Sequence, residues 1–297
     1  MDKIISFIEN DSELMKLQMV YPSGSDNTTS SVCFVNTETS EVYIVYCGNY
    51  IDSPYEYKDG NEYNSNKATI SGLAAQTTYY YKVDDKEIKS FKTGNTGKFR
   101  FAFVGDPQIG SSNELKGSDT EAFYNAQSNA VANDSYNWSQ TLKKIQSAGT
   151  DFIVSAGDQI QTTKKKAPGK SSTTSEIEYA GYLSPDTLAS LPVATTVGNH
   201  DADNANYQYH FNVPNLSNLG DNGKVGGDYY FTYGDVLFLM LNTQDTNSAE
   251  HIQFIEKTVA KNANCKWKIV TLHQDIYGSA EAKRELGDEV PEAFSNV

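Results

Sequence analysis

The sequence predicts an all-β sandwich followed by an α/β layered domain. At 297 residues the chain is long for one domain and comfortable for two. Up to about residue 96, short alternating apolar runs are separated by polar turns, which is typical of a sandwich. From residue 97 onward, apolar runs alternate with helical patterns, which is typical of layered α/β folds. The 20 tyrosines and 13 phenylalanines supply core-forming side chains, so disorder is not expected.

The first domain is predicted to span residues 1–96. Apolar and polar residues alternate over residues 17–21, 31–35 and 41–47, with Gly-containing turns nearby. The later strands carry Gly-Leu, Thr-x-Tyr and Phe-x-Thr patterns within residues 72–93. These patterns resemble a fibronectin type III-like module, in which the tyrosines have structural roles. Gly and Asn in residues 94–97 indicate a short linker to the second domain.

The second domain, residues 97–297, is predicted from its succession of elements. Strands are expected over residues 99–104, 151–156, 191–197 and 267–272, those at 99–104 and 191–197 being buried, and a hairpin is expected over 229–241. Helices are expected up to about residue 147, over 176–183 and over 248–261. The last of these is expected to be capped, with Ile252, Ile255 and Val259 on one face.

Four polar side chains follow the predicted strands, each just beyond a carboxyl end: Asp106, Asp158, Asn199 and His273. A turn role explains any one of them, because Asp after Gly is common in turns. A turn role does not explain well why four such residues all follow strand ends. The edge of an α/β sheet formed by the carboxyl ends of its strands is where ligands bind. Carboxylate, amide and imidazole ligands together suit Fe, Mn or Zn. The sequence therefore predicts a metal centre.

The motifs Gly105-Asp106, Gly157-Asp158 and Gly198-Asn199-His200-Asp201, in this order before His273, resemble those of the calcineurin-like metallophosphoesterases. With a fibronectin-like module in front, the chain is most similar to purple acid phosphatase-like members. The resemblance implies two divalent metal ions. It also implies ligand roles, with Asp158 bridging, Asp106 on the first ion, and Asn199 and His273 on the second.

The resemblance also implies a chemistry. The two metals activate a water for attack on phosphorus. His200 stands outside the metals as the general acid, oriented by Asp201, since an imidazole is an efficient proton donor near neutral pH. The expected reaction is phosphoester hydrolysis, with phosphomonoesters first and phosphodiesters second.

Three departures from the family pattern qualify this expectation. Gln108 stands where many members carry histidine, so its amide either ligates a metal or hydrogen-bonds a water on it. Gln161 replaces the metal-bound tyrosine of purple acid phosphatases, which favours an all-divalent, colourless centre. The family also closes its site with Gly-His-x-His, whereas no histidine follows His273 here. The chain is therefore interpreted as C-terminally incomplete or variant, with weak metal binding and slow turnover.

Other features leave alternatives open or set limits. His210 and His251 are interpreted as structural, and the lysines of residues 164–170 as a solvated loop rather than a device that steers anions. A non-catalytic surface or binding protein on a phosphoesterase scaffold is the competing interpretation.

The net charge of −14 argues against nucleic acid as a partner. No apolar run approaches the roughly 20 residues of a membrane span. Localisation and oligomeric state are left open, although the resemblance favours a secreted or cell-surface protein.

Overall fold

The computed structural model describes residues 5–11, 14–24, 31–35, 42–46, 52–56, 62–83, 87–95, 97–115, 121–161, 175–202, 206–221 and 225–274. The predicted lysine loop at residues 164–170 and everything after Gln274 lie outside these ranges.

The described residues up to Asn95 contain eight strands. They are β1 (Ile5–Asp11), β2 (Leu14–Gly24), β3 (Ser31–Val35), β4 (Val42–Tyr46), β5 (Asp52–Glu56), β6 (Glu62–Leu73), β7 (Thr78–Val83) and β8 (Lys89–Lys92). They form two four-stranded antiparallel sheets, ordered β1-β2-β6-β5 and β4-β3-β7-β8. The assignment of residues 1–96 to a fibronectin type III-like domain stays a prediction.

The second part alternates strands and helices. Its elements are β9 (Phe101–Val104), α1 (Glu121–Ser147), β10 (Phe152–Ser155), α2 (Ser175–Leu183), a 3₁₀ helix (Asp186–Ala189), β11 (Val193–Thr195), α3 (Asn199–Ala202), α4 (Asn206–His210), β12 (Tyr229–Tyr233), β13 (Val236–Met240), α5 (Ser248–Lys261) and β14 (Trp267–Thr271). Strands β11, β10 and β9 form a parallel sheet in that order. The predicted hairpin is β12–β13, and β14 adds to it in parallel with β13.

The two sheets pack face to face, with helices on their outer sides. Between the sheets lies an aromatic core centred on Phe152, whose ring is 5.6 Å from Phe101, 5.9 Å from Phe231 and 5.5 Å from Phe238. Helices α1 and α2 contribute Trp138, Leu142, Tyr179 and Tyr182 to a second cluster, and α5 contributes Phe254 to a third. The predicted α/β layered fold is confirmed. No helix among the described residues is long and apolar enough to cross a membrane.

The packed face of helix α5 includes residues beside the predicted ones, and Ile255 and Val259 pack against the core next to Phe254. Its buried side chains are His251, Phe254 and Thr258, while the predicted Ile252, Ile255 and Val259 are only half-buried. His251 is buried because it bonds to the buried carboxylate of Asp228 in the neighbouring loop. The N-cap residue Asn247 makes no side-chain cap hydrogen bond, so the predicted cap is absent.

The predicted linker packs tightly at its first residue. A Cβ on Gly94 would overlap the Tyr233 hydroxyl, so only glycine fits at this place. Nearby, the Tyr81 hydroxyl donates a 2.6 Å hydrogen bond to the carbonyl of Ala189. Both contacts join the β-rich part to the α/β part.

Candidate metal centre

The polar side chains meet at one edge because of strand direction. β9, β10 and β11 are parallel, so their carboxyl ends lie together, and β14 ends beside them in the facing sheet. Asp106, Asp158 and Asn199 each follow one of the first three strands within four residues, and His273 follows β14. The structure therefore brings all four predicted ligands to one edge.

The backbone at this edge is strained. Asp106, Gln108 and Asp158 have positive φ angles of 51°, 37° and 53°. Residues other than glycine in this region typically cost about 1–3 kcal/mol each and are maintained only when their surroundings hold them. Two backbone hydrogen bonds hold these residues in place, from Asp106 N to Gly157 O at 3.1 Å and from Gln108 N to Asp158 O at 2.9 Å. Strain of this kind clusters at functional sites.

Two glycines allow the strand ends to approach closely. A Cβ on Gly157 would lie 2.8 Å from both Gly198 N and His273 Nδ1. A Cβ on Gly198 would collide with the Asp158 carboxylate. The glycines that precede Asp158 and Asn199 in the sequence are therefore required by packing, since no other residue leaves room.

The side chains form a compact ligand cluster. One potential ligand atom from each of Asp106, Asp158 and His273 lies within 4.8 Å of the others. His273 Nε2 is 3.4 Å from Asp158 Oδ2 and 3.0 Å from Asn199 Oδ1. This set of carboxylate, amide oxygen and imidazole suits transition metals or zinc.

His273 is prepared to act as a ligand through Nε2. Its Nδ1 lies 2.8 Å from the carbonyl of Ala156. A carbonyl can only accept, so Nδ1 carries the hydrogen and Nε2 faces the cluster. Metal-binding histidines are commonly oriented by such a second hydrogen bond, which fixes the tautomer. The residues present therefore fit a metal ion.

The charges of the cluster perturb one another. Burial raises the pKa of Asp106, and the positive charge of His273 partly opposes this. Burial also raises the pKa of Asp158, but the hydrogen bond and charge of His273, with His200, outweigh it and leave the pKa lowered. Burial lowers the pKa of His273, yet the bond and charge of Asp158 raise it to about 9. The site therefore favours a positive charge among its carboxylates, which a proton or a metal ion supplies.

His200 lies at the rim of the cluster. Its Nδ1 is hydrogen-bonded to the carbonyl of Gln161, so that atom carries the hydrogen and Nε2 points inward, 3.9 Å from Asp158 Oδ2. Its backbone N–H donates to Asp158 Oδ1 at 2.9 Å. The sequence predicted that Asp201 would orient this ring, and the structure differs. The orienting hydrogen bond comes from the Gln161 carbonyl.

Asp201 lies beneath the cluster, fully buried. Its carboxylate accepts hydrogen bonds from the backbone N–H groups of Gly198 and Gln159 and from the Tyr179 hydroxyl. Burial, followed by the charge of Asp158, raises its pKa to about 7. Its observed bonds therefore support the backbone under the ligands.

The two glutamines contact the cluster in different ways. Gln108 Nε2 donates to Asp158 Oδ2 at 3.1 Å, so Gln108 takes part as a hydrogen-bond donor. Gln161 contributes its main-chain carbonyl to His200. Sequence reasoning missed this second role because any residue offers the same carbonyl.

The remaining histidines lie away from the cluster. His210 is buried and packs on the ring of Tyr179, with centroids 4.8 Å apart. His251 is buried beside Asp228, with His251 Nδ1 2.7 Å from Asp228 Oδ2. Both placements agree with the structural roles predicted from the sequence.

Comparison with known proteins identifies the family to which the chain belongs. The family model described as calcineurin-like phosphoesterase matches residues 99–296. No curated protein gives a significant match. Among solved structures, the chain is similar to the purple acid phosphatase PPD1 isolated from yellow lupin (Lupinus luteus) seeds, with a TM-score of 0.62 and 16% sequence identity. That match covers 93% of this chain and 52% of the lupin chain, so this chain spans about half the length of the phosphatase.

At that identity, the likeness to the lupin enzyme shows the fold alone. The family model is a stronger finding, because it matches well over half of the chain and includes Asp106, Asp158, Asn199 and His273. The chain belongs to the calcineurin-like phosphoesterase family.

Proposed function

We propose that this protein is a metal-dependent phosphoester hydrolase, with phosphomonoesters as its first substrate class. The observation that carries the proposal is the convergence of Asp106, Asp158, Asn199 and His273 at one sheet edge, with His200 Nε2 facing them. Membership of the phosphoesterase family supports the same reaction type.

Two divalent ions, Fe, Mn or Zn, would be held by these residues. Ligand atoms of Asp106, Asp158 and His273 lie within 4.8 Å of one another, and Asn199 Oδ1 lies 3.0 Å from His273 Nε2. Asp158 would serve both ions, Asp106 the first, and Asn199 and His273 the second. When bound, such ions polarise the phosphoryl group and lower the pKa of water toward neutrality. The protein keeps the ligand atoms in place through the Ala156 carbonyl behind His273 and the strained turns around Asp106 and Asp158.

His200 is proposed as the general acid that protonates the leaving alcohol. Its Nδ1 is held by the Gln161 carbonyl, so the ring cannot turn freely and Nε2 is the nitrogen presented to a substrate. A positioned acid of this kind typically contributes about 10²–10⁴-fold to the rate. The substrate is expected to be a small phosphorylated molecule, with phosphodiesters as the second class.

A non-catalytic binding protein on the same scaffold is the second candidate. The observation that favours it is Gln108, which offers a hydrogen-bond donor to Asp158 where many relatives offer a histidine ligand. Fewer strong ligands imply weaker metal binding. The two candidates differ in whether added metal produces turnover.

Hydrolysis of p-nitrophenyl phosphate with added Mn²⁺, Zn²⁺ or Fe²⁺ tests the proposal, with bis(p-nitrophenyl) phosphate to compare diesters. His200→Ala is expected to lower kcat by about 10²–10⁴-fold. Lys257→Ala, which truncates an exposed side chain on α5 outside the site, is the control and should retain the rate. Hydrolysis that needs no metal, or that is unaffected by His200→Ala, would refute this assignment.

A further inference from the structure

We propose that Asp201 is a positioning residue that ties the loop carrying Asp158 to the loop carrying Asn199. This inference rests on the proposed function, because it concerns how the ligands of that metal centre are held. It gives Asp201 a role that does not pass through His200.

A single carboxylate oxygen makes the connection. Asp201 Oδ2 accepts a hydrogen bond from Gly198 N at 3.1 Å and another from Gln159 N at 3.3 Å. Gly198 directly precedes Asn199, and Gln159 directly follows Asp158. Each bond therefore fixes the peptide next to a proposed ligand. Because the acceptor carries a charge when ionised, such bonds are about twice as strong as neutral ones.

The two loops need such a connection because they are strained and crowded. Asp158 has a φ angle of 53°, and Gly198 approaches its carboxylate so closely that a Cβ would not fit. Relaxation of either loop would separate Asp158 from Asn199. It would also break the 2.9 Å bond from His200 N to Asp158 Oδ1 and shift the proposed acid.

The carboxylate is itself anchored from the helical layer. Its second oxygen, Oδ1, accepts a 3.1 Å hydrogen bond from the Tyr179 hydroxyl on α2. A fully buried carboxyl group is costly unless its oxygens are hydrogen-bonded. The observed bonds meet this requirement and leave Asp201 in a fixed position under both loops.

Metal affinity of three variants of the full 297-residue chain tests this role, measured by calorimetric titration with Mn²⁺. Asp201→Ala removes both ties and is expected to raise the Mn²⁺ dissociation constant by about 10- to 100-fold, as for other residues that orient ligands. Asp201→Asn is expected to retain most of the affinity, because its amide oxygen can accept both N–H groups while its NH₂ faces the Tyr179 oxygen. Tyr179→Phe, which removes the anchor but spares both ties, should lose less affinity than Asp201→Ala.

Comparison of Asp201→Asn with Asp201→Ala distinguishes a role in holding the two loops together from a role of the Asp201 charge. If Asp201 acted through its charge, Asp201→Asn would lose as much affinity as Asp201→Ala. That outcome, or an unchanged affinity in Asp201→Ala, would overturn the proposal.

Amide hydrogen exchange of the metal-free protein gives a second measurement that needs no metal and no activity. The amides of Gly198 and Gln159 should be protected in the parent chain and in Asp201→Asn, and should exchange faster in Asp201→Ala. Exchange of both amides at the rate of exposed loops in the parent chain would overturn the proposal, even if Asp201→Ala did not fold. A parent chain that shows this protection but binds no Mn²⁺ would refute the proposed function and leave the tie established.

Discussion

His251→Ala is expected to destabilise the protein strongly, because it would leave a buried carboxylate without its partner. His251 and Asp228 are both fully buried, with Nδ1 and Oδ2 2.7 Å apart. The other carboxylate oxygen keeps its 2.8 Å bond from Asn242 N, but removal of the ring takes away the His251 partner of Oδ2 and that of the Asp245 carbonyl. Breaking a buried pair from one side typically costs about 3–5 kcal/mol. At about 2–4 °C per kcal/mol for a domain of this size, Tm should fall by about 6–20 °C.

The same pair predicts how stability depends on pH. His251 Nε2 lies 2.9 Å from the carbonyl of Asp245 and Nδ1 faces Asp228, so both nitrogens face oxygen atoms, an arrangement that favours the imidazolium. Burial lowers its pKa, but the hydrogen bond and charge of Asp228 outweigh this and raise the pKa above the usual 6.5. The folded-state pKa is thus the higher one. The stabilisation is fully present below about pH 6.5 and is lost as the pH rises through the folded-state value.

Urea unfolding of the parent chain and His251→Ala between pH 5 and 9 measures both effects. Lys257→Ala, which truncates an exposed side chain on the same helix, is the matched control and should change the unfolding free energy little. The reasoning fails if His251→Ala costs less than about 1 kcal/mol at pH 6, well under the range for a broken buried pair. It also fails if the two proteins lose stability in parallel as the pH rises.

Three further predictions concern the core and the metal centre. Phe152→Ala should destabilise by about 3–5 kcal/mol in urea unfolding because its ring is central between the sheets, whereas Phe103→Ala, on a side chain 62% exposed, should cost far less. Equal costs would contradict the packing described. Gly198→Ala should abolish Mn²⁺ binding in a calorimetric titration because a Cβ there collides with the Asp158 carboxylate; retained affinity would show that the loop can move. Mn²⁺ should raise Tm and EDTA should reverse the rise, because a ligand that binds the folded state stabilises it. A Tm that changes with neither Mn²⁺ nor EDTA would count against a metal centre.

Much of the site was predictable because its signals are local in the sequence. Each ligand follows a recognisable apolar strand, and parallel strands bring their ends together without further information. The glycines before Asp158 and Asn199 also marked the positions where the backbone takes unusual angles or has no room for a side chain. The alternation of strands and helices gave the layers of the α/β part.

What could not be predicted depends on contacts between distant parts of the chain. The group that orients His200 is a main-chain carbonyl at Gln161, which no side-chain pattern encodes. The bonds of Asp201 were likewise hidden, because a neighbour in sequence looks like the natural partner of His200 when the fold is unknown. The burial of His251 on α5 was also not predicted, because its partner Asp228 lies more than 20 residues away in the sequence.

The packing of Gly94 has a consequence for engineering of the linker. Tyr233, the ring that Gly94 touches, lies 4.7 Å from both Phe99 and Phe152, so it belongs to the core between the sheets. A larger residue at position 94 would push this ring into those neighbours, and the disturbance would reach the strand that precedes Asp158. Gly94 therefore belongs to the packed core and cannot be replaced as part of an independent tether. Any redesign of the connection has to start after Gly94 and keep that glycine in place.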